Sequence, residues 1–140
     1  MSFQDERRRR GSERLARLDP KLEDGLRKGL GPVAPEFADW MVGFGFGEVQ
    51  SRPGLDLQQR QLVTIGALAA LGHPTAQLRG HVRAALNVGL EPRAIVEAVM
   101  QVALYAGFPA ASNALLVVKE VFAQQGITLD DLSQTPRETA

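Results

Sequence analysis

Residues 89–109 read Gly89-Leu90-Glu91-Pro92-Arg93-Ala94-Ile95-Val96-Glu97-Ala98-Val99-Met100-Gln101-Val102-Ala103-Leu104-Tyr105-Ala106-Gly107-Phe108-Pro109. A glycine closes one helical run, a proline opens the next, and the pattern repeats at Gly107 and Pro109. Glycine supplies the left-handed position past a helix end, and proline is tolerated in a first helical turn. The run between is apolar on nearly every side, which predicts a helix buried on most of its surface.

The same punctuation extends outward, with a run ending at Gly72 and restarting at Pro74. No segment shows the strict alternation of a half-buried strand. The expected fold is therefore all-α, a compact helical bundle of about four core helices joined by short connections. A bundle this small struggles to enclose a helix such as 92–107, so a homo-oligomer is expected.

Upstream, Leu15, Leu18, Leu22 and Leu26 recur at helical spacing over residues 12–30, with Ser12 as candidate N-cap and Pro20 as a break. A second run follows Pro32 and Pro35 and carries Phe37, Trp40, Met41, Phe44 and Phe46, aromatics read as core. Ser51-Arg52-Pro53-Gly54-Leu55-Asp56 reads as a loop, with Asp56 placed to cap the next helix. Residues 1–11 and 127–140 read as loose tails around a single domain, with a core at about 34–122.

The 140 residues include sixteen basic and sixteen acidic side chains. That balance lacks the broad positive field of a nucleic-acid binder. The local cluster Arg7-Arg8-Arg9-Arg10 reads either as a solvated tail or as a contact to a phosphate or partner. There is no apolar secretion signal and no membrane-length apolar run, so a cytoplasmic protein is expected. With no cysteine in the chain, thiolate chemistry and cysteine-based zinc sites are excluded. Two isolated histidines do not suggest a metal site.

His81 is the helix-borne side chain whose unperturbed pKa lies near neutrality. Gln77, His81 and Ala84 or Ala85 share a stripe in which small alanines leave room beside the imidazole. The alternative is a structural histidine bonded at a helix contact. Glu97 is the one acid of the apolar run, either a member of a site or half of an ion pair with an arginine. Tyr105, the only tyrosine, offers a hydroxyl to a polar pocket. Arg52 and Arg60 suit bidentate contacts to carboxylates, or lie on the surface.

The stretches Gly47–Asp56, Arg60-Gln61-Leu62-Val63-Thr64-Ile65, His81–Leu90 and Tyr105-Ala106-Gly107-Phe108-Pro109-Ala110-Ala111 together resemble the carboxymuconolactone decarboxylase family over roughly residues 34–122. The resemblance implies the helical fold shared with alkylhydroperoxidase D proteins, assembled as a homotrimer or homohexamer. It implies cofactor-free decarboxylation of 4-carboxymuconolactone to the enol-lactone of 3-oxoadipate, in the breakdown of aromatic acids such as protocatechuate. On this reading His81 is the proton donor, Arg52 and Arg60 hold the carboxylates of a small carboxylated lactone, and Gln77 and Tyr105 line the substrate. Glu97 is the expected partner that orients His81.

Two departures stand out. Peroxidase-linked relatives carry a Cys-x-x-Cys pair where this chain has Pro74 and Gln77, so thiol peroxidase activity is not expected. Many relatives carry an acid within an Arg-Glu-Leu pattern where this chain has Arg60-Gln61-Leu62, which shifts the orienting role toward Glu97. The other readings are a decarboxylase or lactone-handling enzyme for another small carboxylated ring, or a silent oligomer that binds a small acid or a partner.

Overall fold

The computed structural model describes residues 1–73 and 75–128. The expectations for Pro74 and for the tail from residue 129 onward lie outside them. Every regular element among the described residues is helical, as the punctuation predicts. Residues 1–60 form one compact unit and the described residues from 61 onward another.

In residues 1–60, helix α1 spans Phe3–Leu18 and begins with a reciprocal cap. Ser2 Oγ accepts from the Asp5 amide at 3.1 Å, and the Asp5 carboxylate accepts from the Ser2 amide at 3.0 Å. Such a box satisfies two of the donors a helix start leaves open. The helix thus starts ten residues ahead of the expected cap at Ser12, and residues 3–11 are helical instead of a loose tail. The arginine cluster is correspondingly held in place. Arg10 Nη2 donates to Glu48 at 2.9 Å, Arg7 pairs with the same carboxylate at 3.2 Å, and the Arg7 guanidinium lies over the rings of Phe3 and Phe44. Pro20 breaks the helix as expected, and α2 covers Leu22–Leu30.

Helix α3, Pro35–Trp40, runs directly into a π-helical segment, Met41–Val49. Its wider winding is visible where the Gln50 amide donates to the Gly45 carbonyl five residues back, at 2.9 Å. The segment turns Gly43 and Gly47 toward the α1 backbone, and Phe44 meets α1 through the Arg7 guanidinium. A Cβ on Gly47 would collide with the Arg7 carbonyl, and one on Gly11 with the Val42 carbonyl, so backbone meets backbone along this seam. Phe37, Trp40 and Phe44 consequently lie exposed, contrary to their reading as core. The buried apolar residues of this unit are Leu15, Leu18, Ala38 and Val42.

Helix α4, Leu57–Leu71, starts as predicted at Asp56. The Asp56 carboxylate accepts from the Gln59 amide at 2.8 Å, and Gln59 Oε1 accepts from the Asp56 amide at 2.9 Å. The unit boundary falls inside this helix, after Arg60. Beyond it come α5 (Thr75–Asn87), α6 (Pro92–Ala106) and α7 (Phe108–Gln124). Gly72, Gly89 and Gly107 all have φ between 80° and 95°, the left-handed geometry that ends each helix.

The core of residues 61–128 gathers Ile65, Val82, Ile95, Val99, Val121 and Phe122, all fully buried. Helix α6 commits Ile95, Val99 and Val102 to it, while Leu104 remains 77% exposed. Its apolar surface is thus only half covered by its own chain. Replacing Gly47 by Ala should destabilise the protein by about 1–3 kcal/mol through overpacking against the α1 backbone. Urea denaturation followed by circular dichroism checks this, with Gly45→Ala, which meets open space, as control.

Candidate functional site

Helix α4 buries one stripe at four-residue steps, Gln61, Ile65 and Ala69. Gln61 is fully buried, the one polar side chain so placed among the described residues. From α5, His81 presents its ring to it, and His81 Nδ1 and Gln61 Oε1 are hydrogen-bonded at 3.0 Å. His81 is itself largely buried, which pushes its pKa below the usual imidazole value of 6.5. Burial acts this way because it penalises the charged ring. A neutral imidazole has one N–H and one lone pair, so it takes a proton at the lone pair and gives it back as imidazolium.

The group bonded to His81 is therefore Gln61, not Glu97 as expected. Glu97 lies exposed on α6. The reason is register: α6 buries positions 95, 99 and 102, and residue 97 projects from the opposite side of that repeat. Gln77, one turn before His81, is also exposed, and Tyr105 is 85% exposed. Ala84 and Ala85 are fully buried. None of Gln77, Glu97 or Tyr105 joins His81 in this chain's own bonding.

In residues 1–60, Arg52 and Arg60 do come together. Arg60 Nη2 donates to the Arg52 carbonyl at 2.8 Å, while Arg60 Nε is shielded from solvent without a partner. Arg14, which sequence reasoning missed, belongs to the same charge group. Its pKa is lowered first by burial and then by the positive charges of Arg17 and Arg60. Among the described residues no carboxylate pairs with Arg14, Arg17, Arg52 or Arg60. Arg14 and Arg60 are partly shielded and Arg17 and Arg52 exposed; guanidinium groups without a carboxylate partner suit an anionic ligand.

A sequence profile of the carboxymuconolactone decarboxylase family matches residues 35–120. The chain belongs to this family. It is 39% identical over 99 residues to 4-carboxymuconolactone decarboxylase of Acinetobacter baylyi, an overlap of 71% of this chain and 73% of that protein. It is 35% identical over 118 residues to an uncharacterised 15.0 kDa protein of Paracoccus denitrificans, covering 82% and 87% of the two chains. It is 33% identical over 100 residues to nitrosuccinic acid decarboxylase of Metarhizium robertsii, covering 71% and 68%. Both of the functionally named relatives are decarboxylases.

The family stretch contains His81, Gln61 and the two loop-proximal arginines, but not Arg14. Within this decarboxylase-family chain the depressed His81 pKa links to stability with a definite sign. Its folded-state pKa lies below the unfolded value, so its contribution is intact above about pH 6.5 and is lost as pH falls through the folded value. Thermal melts over that range should show a component of acid destabilisation that His81→Asn removes, and an NMR titration should place the His81 midpoint below 6.5.

Proposed function

We propose that this protein is a carboxy-lyase that acts without a cofactor on 4-carboxymuconolactone, yielding the enol-lactone of 3-oxoadipate. The observation that carries the reading is His81, a part-buried imidazole anchored through one nitrogen by Gln61 at 3.0 Å. The name of the Acinetobacter baylyi relative supplies the substrate.

In the proposed reaction Arg60 and Arg52, with Arg14 as a further cation, hold the substrate carboxylates. The bond from the ring carbon to the reacting carboxylate breaks and carbon dioxide leaves. The electron pair moves through the unsaturated lactone to its carbonyl oxygen, and the resulting enolate takes a proton on carbon. His81 supplies that proton as imidazolium and returns to the neutral state. An anionic substrate favours the charged ring that burial disfavours, so substrate binding recruits the proton from solvent. The guanidinium contacts serve best on the carboxylate that stays, because pairing the departing one would stabilise the ground state.

A second reading follows from the Metarhizium robertsii relative, whose name specifies nitrosuccinic acid. Here the same residues would decarboxylate an open-chain diacid, and substrate profiling separates the two. Gln77, Glu97 and Tyr105 enter either reading through assembly, as residues exposed on one chain and placed beside a neighbour. The uncovered apolar surface of Met100, Leu104, Phe108 and Leu116 supports a homotrimer or homohexamer. The proposed setting is the cytoplasm; no described helix is long and apolar enough to cross a membrane.

Carbon dioxide release from fresh 4-carboxymuconolactone tests the reaction, and His81→Ala should lower turnover by roughly 10²–10⁴. Ligand-dependent thermal stabilisation without turnover would replace the enzyme by a binding protein. Light scattering on the eluting protein should return three or six times the 15.2 kDa chain mass; a monomer would remove the assembly.

A further inference from the structure

Gln61 occupies a position where an apolar side chain would fit better. It continues the buried stripe of Ile65 and Ala69 along α4, it has no exposed surface, and its Nε2 has no partner among the described residues. A buried amide with an unused donor is unfavourable unless its other end meets a need. The bond from Oε1 to His81 Nδ1 is that other end.

We propose that Gln61 is a positioning residue that fixes His81 as the Nδ1–H tautomer, with Nε2 as the nitrogen that exchanges protons, and that its uncharged acceptor keeps the resting ring neutral. An amide oxygen accepts but does not donate, so Nδ1 must carry the hydrogen and Nε2 the lone pair. A carboxylate in the same place would orient the ring equally well, yet would also stabilise the imidazolium. The amide separates these effects: it sets direction without adding charge.

No other group supplies the missing charge. Arg60, the neighbour of Gln61 on α4, donates to the Arg52 carbonyl, and the charged residues on α5, α6 and α7 are Arg79, Arg83, Arg93, Glu97, Lys119 and Glu120. Arg79 and Glu120 are engaged with each other at 3.0 Å. Burial is the cause of the His81 shift, and none of the six contributes to it. This assignment deepens the proposed decarboxylation, because a proton delivered by His81 would then leave from Nε2.

The test is nitrogen NMR on the full-length protein without substrate. In the neutral ring of the wild type, Nδ1 should resonate as protonated and Nε2 as unprotonated; the opposite assignment overturns the proposal, and this measurement needs no variant. Gln61→Met, close to Gln in length and apolar, should shift the ring toward the Nε2–H tautomer. Gln61→Glu should raise the His81 midpoint by about 1–3 units; an unchanged midpoint overturns the claim that the neutral acceptor sets the resting state. In turnover, Gln61→Met should lower kcat about tenfold or more with KM nearly unchanged. The tautomer is read on the resting protein, so a chain that decarboxylates nothing can still bear it out. A working decarboxylase carrying Nε2–H would overturn this assignment alone.

Discussion

Gln61 meets His81 because two helices place unlike residues on their buried sides at the same level. Helix α4 repeats its stripe every four residues and uses it for Gln61, Ile65 and Ala69. Helix α5 buries Leu78, Val82 and Ala85 around the ring-bearing turn. A polar side chain in each stripe would be costly alone, and one hydrogen bond offsets part of that cost, with Gln61 Nε2 still unpartnered among the described residues. The surrounding apolar residues then do two things at once, holding the helices together and denying the imidazole its charge. The depressed pKa of His81 is thus a by-product of the packing that forms the core.

Residues 1–60 achieve order by different means. Few large apolar side chains are buried there, and glycines allow α1 and the π-helical segment to approach through their backbones. The tightness of that seam determines where the aromatics go. With the narrow face given to glycine, Phe37, Trp40 and Phe44 project outward. The arginine cluster is drawn into the same arrangement through Glu48 and the Gly47 carbonyl.

Much of the fold is legible in the glycine–proline punctuation. The ends at Gly72, Gly89 and Gly107 and the starts at Asp56 and Pro92 depend on local backbone geometry, which neighbouring residues dictate. The π-helical winding of 41–49 was not legible, since its cause is a close approach to α1 that no local pattern encodes. The start of α1 needs only the box made by Ser2 and Asp5, a local signal that the run of four arginines after it masks as a solvated tail. At the site, His81 was evident from its type and place. Gln61 was visible only as a missing acid, although its four-residue spacing to Ile65 already placed it on a buried stripe. The exposed place of Glu97 on the single chain was not legible, because the apolar composition of α6 masks which of its faces turns inward.

The bond between His81 and Gln61 joins two groups without formal charge. Dissolved ions screen charges and leave such a bond nearly untouched. The ties from Arg7 and Arg10 to Glu48 are partly exposed and fully ionic, and they weaken as the electrolyte concentration rises. The two kinds of tie therefore answer differently to their medium: the arginine ties to Glu48, like that of Arg79 to Glu120, are sensitive to salinity, and the bond of His81 to Gln61 keeps its geometry from dilute buffer to brine.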